Sequence, residues 1–324
     1  MDQIELAGTG MKTGRIIFGT MTFGAQVDEA EATQMVQVCR DAGITMFDTS
    51  NNYANGESER ILGRIVKPFR DEVLISTKGG SNVDQEDESL RGLGREAVTK
   101  AVEGSLTRLG TDHIDVYYLH RPDRSTPIEE TLGALNDLVS AGKIRAIGQS
   151  NFAAWQIAKM VYLSKANGWA PPLVSQPMYN LLARRVEVEY EEAARELGLT
   201  NITYNPLAGG LLTGKHKPTD QPEPGSRFTK DMYRDRYWND VQFTAVERFR
   251  ELANGAGLTI IELAFRWVLG RDLTDGMLLG ASRLEQLTSN LAAIDGPPLS
   301  AELVAECDDV WNELLDGVAP RYNR

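Results

Sequence analysis

The sequence contains few cysteines and histidines. Among 324 residues there are only two cysteines, Cys39 and Cys307, and three histidines. Two distant cysteines do not form a disulfide framework, and so few thiols and imidazoles do not support a zinc-type cluster. The sequence therefore predicts a reducing, cytoplasmic setting, and we expect no bound metal.

An excess of positive charge and a long apolar run are also absent. The chain has 34 Lys and Arg against 46 Asp and Glu, a net charge of −12, the wrong sign for binding a phosphate backbone or an anionic membrane. No stretch approaches the ~18 uncharged apolar residues of a membrane span. The opening residues, MDQIELAGTG, lack the basic and apolar regions of a targeting segment. We expect an untargeted soluble protein with no nucleic-acid or membrane partner.

The sequence has the composition of a globular protein, with 42% hydrophobic and 25% charged residues. Short runs rich in β-branched and aromatic residues alternate with segments of helical periodicity, which indicates repeated strand–helix units. The predicted strands are 15–19, 44–48, 73–77, 113–120, 143–150, 173–176, 201–205 and 276–280. The predicted helices lie near 28–42, 57–67, 95–109, 127–141, 152–167, 186–197, 241–270 (in two pieces) and 283–293.

Eight such units without a linker predict one α/β domain over 1–324, a (β/α)8 TIM barrel. Its additions are an N-terminal cap (2–14), a long loop after strand seven (205–240), and a C-terminal helix and tail (300–324). Two helix starts resemble capping boxes, one at Thr126 with proline in the first turn and one at Thr259.

Polar residues stand where consecutive strands end, which is where a barrel of this kind places its functional groups. Asp48 ends the second strand and Tyr53 follows it, while Lys78 and His120 end the third and fourth. Each alone is compatible with a structural role, but together they suit proton transfer to a carbonyl oxygen. The lysine charge lowers the tyrosine pKa, the aspartate holds the lysine, and the histidine donates to the carbonyl.

The chain resembles the aldo-keto reductases, and within them the aflatoxin aldehyde reductase branch, which also reduces succinic semialdehyde. The family motifs run in order along nearly the whole chain: FDTSNNYANGESERILG (47–63), STKG (76–79), YYLHRPD (117–123), GQSNF (148–152), SQPMYN (175–180), YNPLAGGLLTGK (204–215) and LGASRLEQLTSN (279–290). The branch is indicated by HRPDRSTPIEETL (120–132), NGWAPP (167–172), NPLAGGLLTGKHK (205–217) and MYRDRYW (232–238).

The resemblance implies reduction of aldehydes, dicarbonyls or short carboxylate aldehydes with NADPH, with Tyr53 as general acid in the tetrad. It also allows a homodimer, because the branch tends to dimerise. Ser150, Asn151 and Gln176 would hold the nicotinamide amide, and Tyr204 would stack on the ring. Further implied cofactor contacts are Asn205, Pro206, Leu207, Gly209, Gly210, Leu211, Gly214, Lys215, Arg227, Gly280, Ser282, Arg283, Gln286 and Asn290. Implied substrate contacts are Tyr53, His120, Tyr233, Arg236 and Arg324.

A preference for NADPH also follows from the residues themselves. Ser282, Arg283 and Gln286 stand where the eighth strand enters its helix, so a hydroxyl, a guanidinium and a helix N-terminus meet there. The chain departs from its branch at Gln149, at Ser289, in a shorter segment 218–231, and at Asn323.

Two other functions stay open from sequence. The segment GGLLTGK (209–215) fits the glycine and lysine spacing of a P-loop, but His216 replaces the magnesium-binding Ser or Thr, so a nucleotide phosphotransferase is the least favoured class. A regulatory or sensing module that binds NADPH with little turnover is the other alternative, and the complete tetrad favours an enzyme over it.

Overall fold

The computed structural model describes residues 2–80, 91–222 and 225–323. Eight parallel strands close into a barrel in sequence order, with the last paired to the first. This arrangement confirms the predicted (β/α)8 class. The barrel strands are β3 (Ile16–Gly19), β4 (Met46–Asp48), β5 (Leu74–Gly79), β6 (Ile114–Leu119), β7 (Ile144–Ser150), β8 (Val174–Gln176), β9 (Thr200–Thr203) and β10 (Gly276–Gly280).

The predicted N-terminal cap is an antiparallel hairpin of β1 (Gln3–Glu5) and β2 (Lys12–Gly14). Leu6, just after β1, packs with Ile17, Met46 and other side chains of the barrel interior. The interior is thus filled with apolar side chains, and a functional site is expected at the carboxyl end of the strands.

The helices surround the barrel and, in the described residues, follow the predicted segments closely. They are α1 (Glu29–Asp41), α2 (Glu57–Val66), α3 (Arg95–Leu109), α4 (Ile128–Ser140), α5 (Ala154–Asn167), α6 (Tyr190–Leu197), α7 (Asp231–Tyr237), α8 (Asp240–Gly255), α9 (Ile260–Leu269), α10 (Leu284–Ile294) and α11 (Ala301–Val310). No single helix among the described residues is long and apolar enough to cross a membrane. Helices α8 and α9 would be long and apolar enough only if taken together, and they are bent by 92° at the break between them.

One of the two predicted capping boxes is wrong. The box at Thr259 is present, with Glu262 closing it. The other is absent because α4 begins after Pro127 without a side-chain cap, and the hydroxyl of Thr126 donates to Asp123 at 2.6 Å instead. A nearby carboxylate therefore takes the hydroxyl that the helix end would have used.

The segment 205–240 is not all loop, because it contains the two-turn helix α7. Tyr233 and Tyr237 of this helix are buried, so tertiary packing holds a short helix that has little stability of its own. The C-terminal tail is also packed down: the Tyr322 hydroxyl donates to Glu189 at 2.8 Å and its ring lies edge-on to Tyr190.

Candidate active site

A cleft of about 1440 Å³ opens at the carboxyl end of the barrel and is lined by residues that follow most of the barrel strands. Its floor carries the predicted tetrad. Asp48 and Lys78 are almost wholly buried, and they form an ion pair between Lys78 Nζ and Asp48 Oδ1. Lys78 Nζ also lies 3.5 Å from the Tyr53 hydroxyl. The structure thus brings the carboxylate, ammonium and phenol into one chain of contacts.

Asp48 is held by Ser76, which sequence analysis did not identify as part of the site, and by Gln176, which it assigned to the nicotinamide amide. Its Oδ2 accepts hydrogen bonds from Ser76 Oγ at 2.6 Å and from Gln176 Nε2 at 3.1 Å. These donors satisfy the carboxylate oxygen that does not face Lys78. Gln176 therefore connects the tetrad with the part of the cleft assigned to the nicotinamide amide.

Burial and charge act in opposite directions on the tyrosine and the lysine. Burial raises the pKa of Tyr53, and this outweighs the lowering by the Lys78 ammonium. Burial disfavours the charged form of Lys78 and so lowers its pKa. Asp48 and Tyr53 raise that pKa by more, so the pKa of Lys78 is raised overall. The lowering of the Tyr53 pKa by Lys78 that the sequence predicts is present, but it is smaller than the raising by burial. At neutral pH the site holds a protonated phenol beside an ammonium, as a general acid requires.

His120 stands on the other side of the phenol, its ring edge-on to Tyr53 with centroids 6.3 Å apart. Burial, with the charges of Lys78 and Arg121, lowers its pKa to about 3, so the imidazole is neutral at pH 7. Its Nδ1 lies 3.3 Å from Ser50 Oγ. The Ser50 hydroxyl donates to Asn52 Oδ1 at 2.8 Å, and in the His120 tautomer that carries its proton on Nε2 this proton is available to a carbonyl oxygen.

The turn after Tyr53 has an unusual backbone. Ala54, Asn55 and Gly56 all have positive φ, at 46°, 53° and 83°, and α2 begins immediately afterwards. Non-glycine residues in this region are strained, and such strain is concentrated at functional sites. The stem of Arg108 packs beneath Gly56, and Arg108 Nε donates to the buried Glu59 at 2.6 Å. A buried ion pair thus supports the turn that aims the tyrosine.

The residues assigned to the nicotinamide end form a connected network. Asn151, with φ 65°, donates from Nδ2 to the His120 carbonyl at 2.9 Å and accepts from the Tyr204 hydroxyl at 2.8 Å. Ser150 Oγ donates to the Gln176 carbonyl at 2.8 Å. The four residues predicted to surround the nicotinamide line the cleft, namely Ser150, Asn151, Gln176 and Tyr204. The predicted set is thus brought together, and the Tyr204 ring is fixed in direction.

The glycine-rich segment behaves as a backbone cradle. Asn205, Pro206, Leu207, Gly209, Gly210 and Lys215 line the cleft. Gly209 and Gly210 have positive φ, and a Cβ at Gly209 would come within 2.8 Å of the Tyr233 ring. Only glycine permits this close approach.

Two predicted contacts in this segment do not reach the cleft lining. Leu211 is buried in the core, and the Gly214 carbonyl accepts from Arg250 at 2.6 Å. No helix follows Lys215 within 216–222, although a P-loop leads directly into one. The P-loop interpretation is therefore wrong for the described residues.

The far end of the cleft lies at the N-terminus of α10. Gln286 Oε1 accepts from Ser282 N at 3.0 Å and from Ser282 Oγ at 2.9 Å. Arg283 precedes α10 as its N-cap, and Arg227 comes from the opposite side, 3.7 Å from where a Cβ of Gly280 would lie. Asn290 Nδ2 donates to the Gly280 carbonyl at 3.4 Å. Guanidinium, hydroxyl and helix N-terminus are therefore gathered as predicted.

The part of the cleft predicted to bind the substrate contains a buried cation. Arg236 of α7 is only 7% exposed, its Nε has no hydrogen-bond partner, and one Nη lies 3.6 Å from the sulfur of Met178. It has no carboxylate partner among the described residues. Its guanidinium carbon lies 5.9 Å from the Tyr233 ring centre, and both side chains line the cleft. Arg324, also predicted here, lies outside the described residues.

The departure at Gln149 lies outside the cleft lining. Its side chain lies near Ser175, whose Oγ donates to Gln149 Oε1 at 3.3 Å. The residue does not line the cleft, so the larger side chain is accommodated in the buried layer around the barrel.

The donor set and the cradle fit a pyridine dinucleotide. Amide, hydroxyl and tyrosine groups lie beside the tetrad, bare glycine backbone lies in the middle, and cations with a helix N-terminus lie at the far end. No group of three or more His, Cys, Asp or Glu suited to a metal occurs among the described residues.

Fold and site together define a barrel oxidoreductase, and comparison with known proteins identifies its family. The model of the Aldo/keto reductase family matches residues 15–312. The chain belongs to this family.

Its similar relatives cover almost the whole chain. Aflatoxin B1 aldehyde reductase member 2 of Mus musculus is 37% identical, over 95% of this chain and 87% of the relative. Aldo-keto reductase family 7 member A3 of Homo sapiens is 36% identical, over 95% of this chain and 96% of the relative. A probable voltage-gated potassium channel subunit beta of Arabidopsis thaliana is 34% identical, over 94% of this chain and 95% of the relative.

Proposed function

We propose that this protein is an NADPH-dependent reductase of aldehydes, with Tyr53 as the general acid. The observation that carries this proposal is the position of the Tyr53 hydroxyl in the cleft, 3.5 Å from Lys78 Nζ, with the His120 ring edge-on to the phenol. The relatives named aldehyde reductases support the same class.

The residues divide the reaction into distinct tasks. NADPH, when bound, supplies the hydride. Tyr53 gives its proton to the carbonyl oxygen as that oxygen gains negative charge. Lys78 stabilises the phenolate that remains, and Asp48 keeps the lysine charged and in place. His120, neutral, donates to the carbonyl oxygen and fixes its direction.

The second candidate is an NADPH-binding regulatory module with little turnover. It is favoured by the plant relatives whose names describe potassium channel subunits. An intact chain of contacts from Asp48 to Tyr53 favours the enzyme, because a binding module needs no proton donor beside a lysine.

Arg236 supports substrates with an anionic or dicarbonyl end remote from the aldehyde, such as succinic semialdehyde. A buried guanidinium without a carboxylate partner is costly unless a ligand supplies one. Losing such a contact costs about 1.5–3 kcal/mol. Arg236→Ala should therefore raise KM for succinic semialdehyde about ten- to a hundredfold and leave KM for the neutral 4-nitrobenzaldehyde nearly unchanged.

The control is Arg234→Ala on the same helix, because Arg234 is exposed and paired with Asp231. It should change neither KM. Equal effects of Arg236→Ala on the charged and the neutral aldehyde would show that Arg236 supports the loop and not a substrate carboxylate.

None of these roles calls on a metal ion. We expect EDTA to leave the reductase activity unchanged. Loss of activity on chelation, recovered by added zinc, would contradict the proposed chemistry.

A further inference from the structure

A carboxylate of the protein itself occupies the N-terminus of α10. Glu31 belongs to α1, more than 250 residues earlier in the chain, and its Oε1 accepts a hydrogen bond from Leu284 N at 2.8 Å. The side chain is half-buried and lines the same cleft as Ser282 and Arg283.

This position is where an extra cofactor phosphate would compete. The first N–H groups of a helix and its dipole attract an anion, and Glu31 already supplies one. Gln286 already accepts from Ser282 N. A phosphate that binds these donors must displace the Glu31 carboxylate and must also overcome the electrostatic repulsion between the two anions.

The rest of the local charge favours an anionic ligand. Arg227 and Arg283 form no ion pair with any carboxylate among the described residues. Glu31 therefore brings a negative group to the end of α10 in the same cleft that these two arginines line. Glu29, on the same first turn, is bound to Arg64 and does not share this position.

The backbone of Glu31 is held by a helix cap, whereas its carboxylate has one hydrogen bond among the described residues, the bond from Leu284 N. Asp28 caps α1 and its Oδ1 accepts from Glu31 N at 2.9 Å. The carboxylate reaches α10 through a side chain with three rotatable bonds. It therefore has alternatives to its bond with Leu284 N when another anion is present.

We propose that Glu31 is a specificity-determining residue for the cofactor. It competes with the 2′-phosphate of NADPH for the α10 N-terminus, and it accepts a hydrogen bond from the free 2′-hydroxyl of NADH, as acidic residues do in other dinucleotide sites. Glu31 thereby limits the preference for NADPH that Arg283 and Ser282 create. This inference rests on the proposed function, because it concerns the same cofactor site.

The test measures cofactor affinity directly, by fluorescence titration of NADPH and NADH and by calorimetry with adenosine 2′,5′-bisphosphate and 5′-AMP. Glu31→Gln keeps the size of the side chain and its ability to accept from Leu284 N, so the fold is retained. We expect it to tighten binding of NADPH and of the bisphosphate about three- to tenfold. Binding of NADH and 5′-AMP should stay the same or weaken.

Two further variants separate the possible causes. Glu285→Gln removes an equal charge from the first turn of α10, where Glu285 lines the cleft without accepting from Leu284 N, and it should tighten NADPH less than Glu31→Gln does. Arg283→Ala should act in the opposite direction, weakening NADPH about tenfold and sparing NADH.

The outcomes distinguish this inference from the proposed function. Equal gains for NADPH and NADH, or equal gains from Glu31→Gln and Glu285→Gln, would overturn the role of Glu31 and leave the reductase proposal intact. Failure of the unaltered protein to bind either dinucleotide would overturn both.

Discussion

At the scale of single residues, the site depends on which groups keep their protons in a buried cleft. Tyr53 has a raised pKa because burial outweighs the nearby ammonium, and His120 is neutral because burial and two cations lower its pKa to about 3. One group is therefore a ready acid and the other an uncharged hydrogen-bond donor over the whole physiological range.

These directions predict the pH dependence of aldehyde reduction. The reaction needs the protonated form of Tyr53. We therefore expect kcat/KM to stay level through neutral pH and to fall only when the pH of the solution exceeds the raised pKa of Tyr53. No inflection should occur near 6.5, because His120 does not titrate there. A profile of kcat/KM over pH 5 to 10.5 checks this, and a clear step near 6.5 would show that His120 ionises during turnover.

The sequence predicts the residues of the tetrad but not the hydrogen-bond partners that hold them. Asp48, Lys78 and His120 could be found because each ends or follows a strand, and a barrel collects strand ends. The contributions of Ser50 and Ser76 could not be found, because they depend on distances of 3.3 Å and 2.6 Å that only packing sets. The position of Glu31 against Leu284 has no local sequence signal at all.

At the scale of elements, the turn from Tyr53 into α2 determines where the phenol lies. Gly56 has φ 83°, and a Cβ there would come within 2.7 Å of Arg108 Cδ. Gly56→Ala should therefore lower the free energy of unfolding by more than the left-handed backbone alone costs, about 1–2 kcal/mol, and should reduce kcat because Tyr53 shifts.

The matched control is Gly110→Ala. Gly110 ends α3 with φ 63° and has no atom within 4 Å of a Cβ, so only the backbone cost applies there and kcat should not change. Urea denaturation and kcat of both variants make the comparison. Equal stability losses with unchanged kcat would show that the Arg108 contact does not matter for the turn.

Elements with a periodic pattern were predictable and short packed ones were not. The eight barrel strands and the capping box at Thr259 follow from local chemistry. Helix α7 does not, because its two turns are held by burial of Tyr233 and Tyr237. The missing cap at Thr126 has a different origin, because Asp123, only three residues earlier in the same loop, accepts the hydroxyl proton.

At the scale of the whole molecule, an acidic protein carries a locally basic cleft. The net charge is −12, yet Arg227, Arg236 and Arg283 reach the cleft without carboxylate partners among the described residues. The local arginines focus the electrostatic field where an anionic cofactor and substrate would enter. Overall charge alone would have predicted repulsion of both.

The central claim is that Tyr53 protonates the carbonyl while a bound cofactor gives up its hydride. A single-turnover experiment tests it most directly: the protein loaded with one equivalent of NADPH is mixed with succinic semialdehyde, and the loss of nicotinamide absorbance is followed. We predict oxidation of the bound cofactor in one turnover. In Tyr53→Phe, with NADPH affinity unchanged, this step should be slower by about 10²–10⁴-fold or more. Equal rates in the two proteins, or no oxidation in the unaltered protein, would contradict the account.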